Sequence, residues 1–372
     1  MMGLFLLLVF VVISATEKGY GHFWNRSLTF SFHFIQPAVY AGSRVQLQEV
    51  IDNAKSLPVP VLEAGFRIEK GVSFEEGDNT QTSDYVYKRD VFSLLGKERI
   101  IRTHTVECLK RGYYSFSQLS LVTYSNLLHW KYSTQAETDE HLYVYARRTD
   151  ISGILPAIDS ILGERETGKR LYEDPFTFAG IRPYTPQDPQ KTVNWKATAK
   201  TGNLMVNTYA SVQSEEVMVY LDVSDPLIVK REELTEESIS LAATICSWLL
   251  NHNLAVGLCV NTNSFWRLSP RRGPEQLRRI EQFLVRDFSK EALTDFGEMA
   301  VLTGRQRERV KGSLSDPLPV FISKNAEEAV RRKLLSSLKK GEQGVWVIPV
   351  KQGHLPDVSG TSQLRVCFKS IR

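Results

Sequence analysis

Apolar and polar side chains alternate with a period of two through the first third of this chain. Leu28, Phe30, Phe32 and Phe34 are separated by Thr29, Ser31 and His33, which predicts a strand with one buried face. After a turn at Tyr40-Ala41-Gly42-Ser43, Val45 and Leu47 continue the register. Leu62, Ala64, Phe66 and Ile68 alternate with Glu63, Gly65, Arg67 and Glu69, and similar runs cover residues 99–108, 113–124 and 141–146. Gly112 reads as the turn of a hairpin. Short strands at this spacing, with no helical stretch between them, predict an immunoglobulin-like β-sandwich over residues 25–150.

Beyond residue 150 the pattern changes. Residues 151–162 are apolar with Gly and Pro and read as a lead into a second domain. Residues 217–221 form an apolar run of the kind buried on both faces of a parallel sheet. Thr235 is placed to cap a helix with Glu236 and Glu237 in its first turn and an apolar stripe of Ile239, Ala242, Ala243, Cys246, Leu249 and Leu250. A strand at 255–260 follows, then a helix opened by Pro274. Helices near 290–311 and 326–340 and strands near 319–322, 345–350 and 364–368 complete the chain. Strand and helix alternate, so residues 151–372 are expected to form an α/β domain with a mostly parallel sheet.

The amino terminus bears on location. Residues 3–15 carry no charge and are followed by Glu17, Lys18 and Arg26. About 13 residues fall short of the roughly 18 to 20 that cross a bilayer as a straight helix. Two readings stay open. Ile13-Ser14-Ala15 suits the cleavage site of a signal peptide, although the basic leader of such a peptide is missing. Alternatively, residues 1–24 form a short membrane anchor with Tyr20, His22, Phe23 and Trp24 as an aromatic belt. Lys18 and Arg26 on its carboxyl side then place the body in the cytoplasm.

Charge and cysteine usage narrow the chemistry. Against 46 basic and 42 acidic side chains the formal net charge is only +4. Basic pairs such as Arg271-Arg272 lie near glutamates on predicted helices, so they read as solvated faces, and no nucleic-acid partner is expected. The four cysteines, at 108, 246, 259 and 367, form no CxxC, and no His pair has zinc-type spacing. Phosphate-loop, nucleophile-elbow, HExxH and GxGxxG motifs are absent.

Residues 180–200, GIRPYTPQDPQKTVNWKATAK, hold the most distinctive pattern. Pro183, Pro186 and Pro189 fix φ and stiffen the turn. Arg182 and Asp188 are placed to pair across it. Val193, Trp195, Ala197 and Ala199, at a period of two, are expected to bury on one face. Gly180, Arg182, Tyr184, Pro186, Asp188, Lys191, Val193, Trp195, Ala197, Ala199 and Lys200 together resemble the signature of the family catalogued as domain of unknown function fifty-eight, with Gln187 where that family usually has glycine. The resemblance implies a membrane-anchored protein with a β-domain and a von Willebrand factor A-like domain. It also implies a start trimmed to one span and a MoxR-type AAA+ ATPase as partner.

Such A-like domains hold a divalent ion through Asp-x-Ser-x-Ser at the end of a central strand. Here Asp222 and Ser224 match, while Pro226 replaces the last serine. The resemblance therefore implies a degenerate site, empty or holding Mg2+ weakly. The expected function is a membrane-tethered, non-enzymatic adaptor acting with the ATPase in assembly or maturation of envelope proteins. Its binding face would be Gly180, Arg182, Tyr184, Asp188, Trp195 and Lys200. The alternative is an enzyme using the 180–200 loop and Asp222 on a small phosphate- or sugar-type ligand.

Overall fold

The computed structural model describes residues 2–371 except 75–79, 83–84, 126–129, 137, 169–172, 187, 212–215, 226–230, 263–265, 289–290, 310–315 and 354. The chain divides into two compact units. The first is Met1–Arg148 with Glu281–Ser289, and the second is Thr149–Ile280 with Lys290–Arg372.

The first unit opens with helix α1 (Met2–Phe23) and continues through twelve described strands. These are β1 (Leu28–Phe34), β2 (Ala38–Tyr40), β3 (Arg44–Asn53), β4 (Val59–Glu69), β5 (Val72–Phe74), β6 (Thr80–Thr82), β7 (Tyr85–Leu94), β8 (Glu98–Cys108), β9 (Gly112–Ser115), β10 (Ser117–Tyr124), β11 (Lys131–Ala136) and β12 (His141–Tyr145). Two antiparallel sheets, ordered β1-β3-β8-β5 and β11-β10-β4-β7-β6, form the sandwich, with β2-β12-β9 as a smaller third sheet. Alternate residues of both sheets meet in one core, where Phe32 of β1 lies 4.6 Å from the ring of Phe66 on β4.

Two expectations need correction here. Gly112 does not turn a hairpin; it starts β9, which leaves the β8 sheet and pairs with β12. Tyr20 and Trp24 are not a membrane-interface belt, because both are buried in the sandwich core. The Tyr20 hydroxyl meets Thr123 Oγ1 at 3.3 Å, and Tyr132 donates to the Glu17 carbonyl. The carboxyl half of α1 is thus part of the domain, whereas Phe5, Leu7, Leu8, Phe10 and Val12 are exposed on its amino half. Among the described residues, no helix is long and apolar enough to cross a membrane.

The second unit contains α2 (Leu155–Gly168), β13 (Glu173–Pro183), α3 (Trp195–Thr201), β14 (Met205–Ser211), β15 (Glu216–Leu221), α4 (Glu232–Asn251), β16 (Ala255–Val260), β17 (Trp266–Arg271), α5 (Pro274–Leu284, whose last turn belongs to the first unit), α6 (Phe296–Arg309), β18 (Leu318–Ile322), α7 (Glu328–Ser337), β19 (Gly344–Lys351) and β20 (Leu364–Ile371). Its main sheet runs β17-β16-β15-β18-β19-β20, parallel except for β17. Met218 and Tyr220 share a core with Met299 of α6 and Leu334 of α7. The alternate set Val217, Val219 and Leu221 is also fully buried, and α4 packs across β15, β16, β18 and β19. Burial on both faces explains the unbroken apolar runs. Residues 151–162 are more than a lead-in, since α2 buries Ile158 and Ile161. Thr235 does not cap α4, which starts at Glu232 after Arg231.

Candidate functional site

Two groups of the expected residues lie in different parts of the second unit. The first belongs to the two-stranded β13–β14 sheet, in which Gly180 pairs with Thr208, Arg182 with Val206 and Pro183 with Met205. The connection holds a 3-10 turn at Gln190–Thr192 and then α3. Asn194 starts that helix by accepting from Ala197 N at 2.9 Å, and its amide donates to Asn207 Oδ1 at 2.7 Å. Gly202 ends it at φ 73°, a left-handed conformation that favours glycine.

Asp188 closes the proline-rich turn. Arg182 donates Nη1 to Oδ2 at 2.7 Å and Nη2 to Oδ1 at 2.6 Å, while the Thr185 amide and hydroxyl also reach Oδ2. Arg182 first, and then the Thr185 amide, hold the Asp188 carboxyl well below the usual carboxylate range. Tyr184 extends the sheet by donating its amide to Leu204 O at 2.9 Å. Lys200 sits exposed in the last turn of α3.

Trp195 reverses the sequence expectation. It does not bury with Val193, Ala197 and Ala199; it is 70% exposed at the first turn of a helix that buries no residue. The Asn194 cap turns the predicted strand into helix, so residues two apart no longer share a face. Ile181 and Leu204 of the same hairpin are also exposed.

The second group lies at the carboxyl ends of the parallel strands. β15 and β18 are neighbours there, and their connections run to opposite sides of the sheet, the place where open α/β sheets take ligands. Asp222, 1% exposed, follows β15; Asn261 follows β16; Ser323 and Lys324 follow β18. Asp222 Oδ1 accepts from Ser224 N, Ser224 Oγ and Asn261 Nδ2, and Oδ2 accepts from Ser323 Oγ at 2.6 Å. Burial pushes the Asp222 carboxyl up, against the pull of Ser224, Ser323 and Lys324. Asp225 stands beside Arg231 (3.3 Å) and Lys324 (3.8 Å). Its pKa is lowered: burial raises it, but the Arg231 amide and the two cations outweigh that. Pro226 lies outside the described residues.

Asn261, Ser323 and Lys324 escaped the sequence reading. Their signal was positional, since each follows an apolar strand directly, but only strand order shows that those ends converge. A further buried polar cluster lies inside the sandwich. His104 Nε2 meets Glu49 Oε2 at 3.1 Å and Asp90 Oδ2 at 3.4 Å, a grouping of three metal-ligand types. Lys88 Nζ is also 3.4 Å from Asp90 Oδ2 and Arg102 is 3.2 Å from Oδ1, so Asp90 is already paired with cations of the chain.

Residues 180–331 match the family described as "Protein of unknown function DUF58", which supports the resemblance carried by Arg182, Asp188 and Trp195. No curated protein matches the chain significantly. Among solved structures, a CARDB domain from Pyrococcus furiosus in complex with di-metal ions is 15% identical, over 32% of this chain and 91% of its own, with a TM-score of 0.20. A type II cohesin domain from the cellulosome of Acetivibrio cellulolyticus is 7% identical, over 32% of this chain and 95% of its own, with a TM-score of 0.24.

Proposed function

We propose that this protein is a membrane-tethered, non-enzymatic adaptor that docks a MoxR-type AAA+ ATPase in the assembly or maturation of envelope proteins. The exposed indole of Trp195 carries this reading. A large apolar side chain displayed from a capped helix, beside a proline turn closed by Arg182 and Asp188, suits a docking anchor. The second unit is read as von Willebrand factor A-like, supported by its strand order, its antiparallel edge strand and Asp222-Val223-Ser224 after the central strand. The sandwich is read as immunoglobulin-like. The exposed apolar residues on the amino half of α1 support a membrane anchor, and Lys18 and Arg26 on its carboxyl side favour a cytoplasmic body.

The enzyme alternative is disfavoured by the state of its residues. Both Asp188 oxygens are taken by Arg182 and Thr185, and Asp222 is buried under four donors, so neither carboxylate is free as a general base. The test is binding of the full chain to a MoxR-type AAA+ ATPase, followed by fluorescence anisotropy. Trp195→Ala should weaken binding at least tenfold while melting stays unchanged. Unchanged affinity in Trp195→Ala, or no binding by the wild type, would sink the adaptor reading.

A further inference from the structure

The metal site that an A-like domain implies does not fit the residues at the end of β15. A hard divalent cation needs carboxylate and hydroxyl lone pairs turned toward it. Here the hydroxyls of Ser224 and Ser323 and the amide of Asn261 all turn their protons onto Asp222. Positive charge is supplied from within the chain. The Lys324 side chain is wholly buried, its ammonium donates to Thr235 Oγ1 in the first turn of α4, and it stands 3.8 Å from Asp225 Oδ2. Arg231 adds a second cation on Asp225. Two carboxylates therefore face two cations, and a divalent ion would leave uncompensated charge in a buried site.

We propose that Lys324 is the resident cation of this site and stands in for the divalent ion. It joins the ends of β15 and β18 to the start of α4, and so holds residues 222–225 in place without metal. Docking on this end of the sheet is then insensitive to chelators and uses no partner carboxylate bound to an ion. The assignment holds whether or not the β13–β14 hairpin binds an ATPase.

The experiment uses the full chain and three variants, melted in EDTA, Mg2+ or Mn2+, with Mn2+ binding also followed by electron paramagnetic resonance. The wild type should melt at the same temperature in all three and show no stoichiometric Mn2+ site. Lys324→Met, which keeps the length but removes the charge, should melt several degrees lower in EDTA. Lys324→Ser, which adds an oxygen donor, should recover part of that loss as Mg2+ rises, and Asp222→Ala added to it should abolish the recovery. A wild-type Mn2+ site that disappears in Asp222→Ala overturns the proposal, and so does a Lys324→Met protein as stable as the parent in EDTA. If the variants do not fold, the wild-type Mn2+ titration still decides.

Discussion

Arg182 and Asp188, six residues apart across the proline turn, form a two-pronged pair at 2.7 and 2.6 Å. Thr185 adds an amide and a hydroxyl to the same carboxylate. The planar guanidinium fixes direction as well as distance, which a lysine could not do. Arg182 is 44% exposed, so the pair shapes its loop more than it stabilises the unit.

Asp188→Asn and Arg182→Ala should accordingly loosen residues 184–192 and leave the melting temperature nearly unchanged. Limited proteolysis with mass-spectrometric mapping reads this directly. Equal cleavage rates in variant and parent would show that the prolines alone hold the turn.

Acid should open the same turn. The Asp188 pKa lies below its ordinary value of 3.8 in the fold, so its contribution is present at neutral pH and is lost as pH falls through the folded value. Hydrogen exchange of the Thr185 amide should therefore distinguish the wild type from Asp188→Asn above pH 3.8, with the gap closing below it. A gap that persists or widens in stronger acid contradicts the pairing.

Trp195→Ala should change stability by no more than about 0.5 kcal/mol, the usual range for a surface substitution. Acrylamide quenching, compared between the wild type and Trp195→Phe, should show that the lost emission came from an accessible indole. A loss of about 3–5 kcal/mol on denaturant melting would mean that the ring is buried after all.

Inside the sandwich, Asp90→Ala removes a carboxylate that pairs with Lys88, Arg102 and His104. Breaking one side of a buried pair costs about 3–5 kcal/mol, and replacing both sides by apolar groups costs much less. Denaturant melting should find Lys88→Met/Asp90→Ala more stable than Asp90→Ala. The opposite order would remove the ionic network from the account of this core.

Asn261→Ala should destabilise the second unit by about 1–3 kcal/mol for each polar group it strands. Its Oδ1 accepts from Val223 N at 3.0 Å, and its Nδ2 donates to Asp222 Oδ1 and to the Thr294 carbonyl. Denaturant melting checks this, and a variant as stable as the parent would show that Asp222 and Val223 are held by other bonds.

Much of the architecture is legible in one dimension because it follows from local period. The alternation at Leu28, Phe30, Phe32 and Phe34 specifies a one-faced strand, and the unbroken run at 217–221 specifies a strand covered on both sides. The pairing of Arg182 with Asp188 is readable for a similar reason, since prolines constrain so short a segment. Other features resist that reading. Lys88 and Asp90 occupy inward positions on β7, where alternation predicts apolar side chains, because they pair with each other and Asp90 also meets Arg102 and His104 of β8 in the facing sheet.

The sequence by itself determined the one-faced strands β1 and β4, the two-faced strands β15, β16, β18 and β19, and the signature of the proline turn. All of these depend on neighbours within a few residues. Only the tertiary structure decided that Trp195 stands exposed, that Tyr20 and Trp24 belong to a core, and that Asn261, Ser323 and Lys324 surround Asp222. Those outcomes depend on a helix cap meeting a partner strand and on strand ends 101 residues apart brought together. The physical reason is that burial and charge pairing are set by which segments meet in space, and local period does not carry that choice.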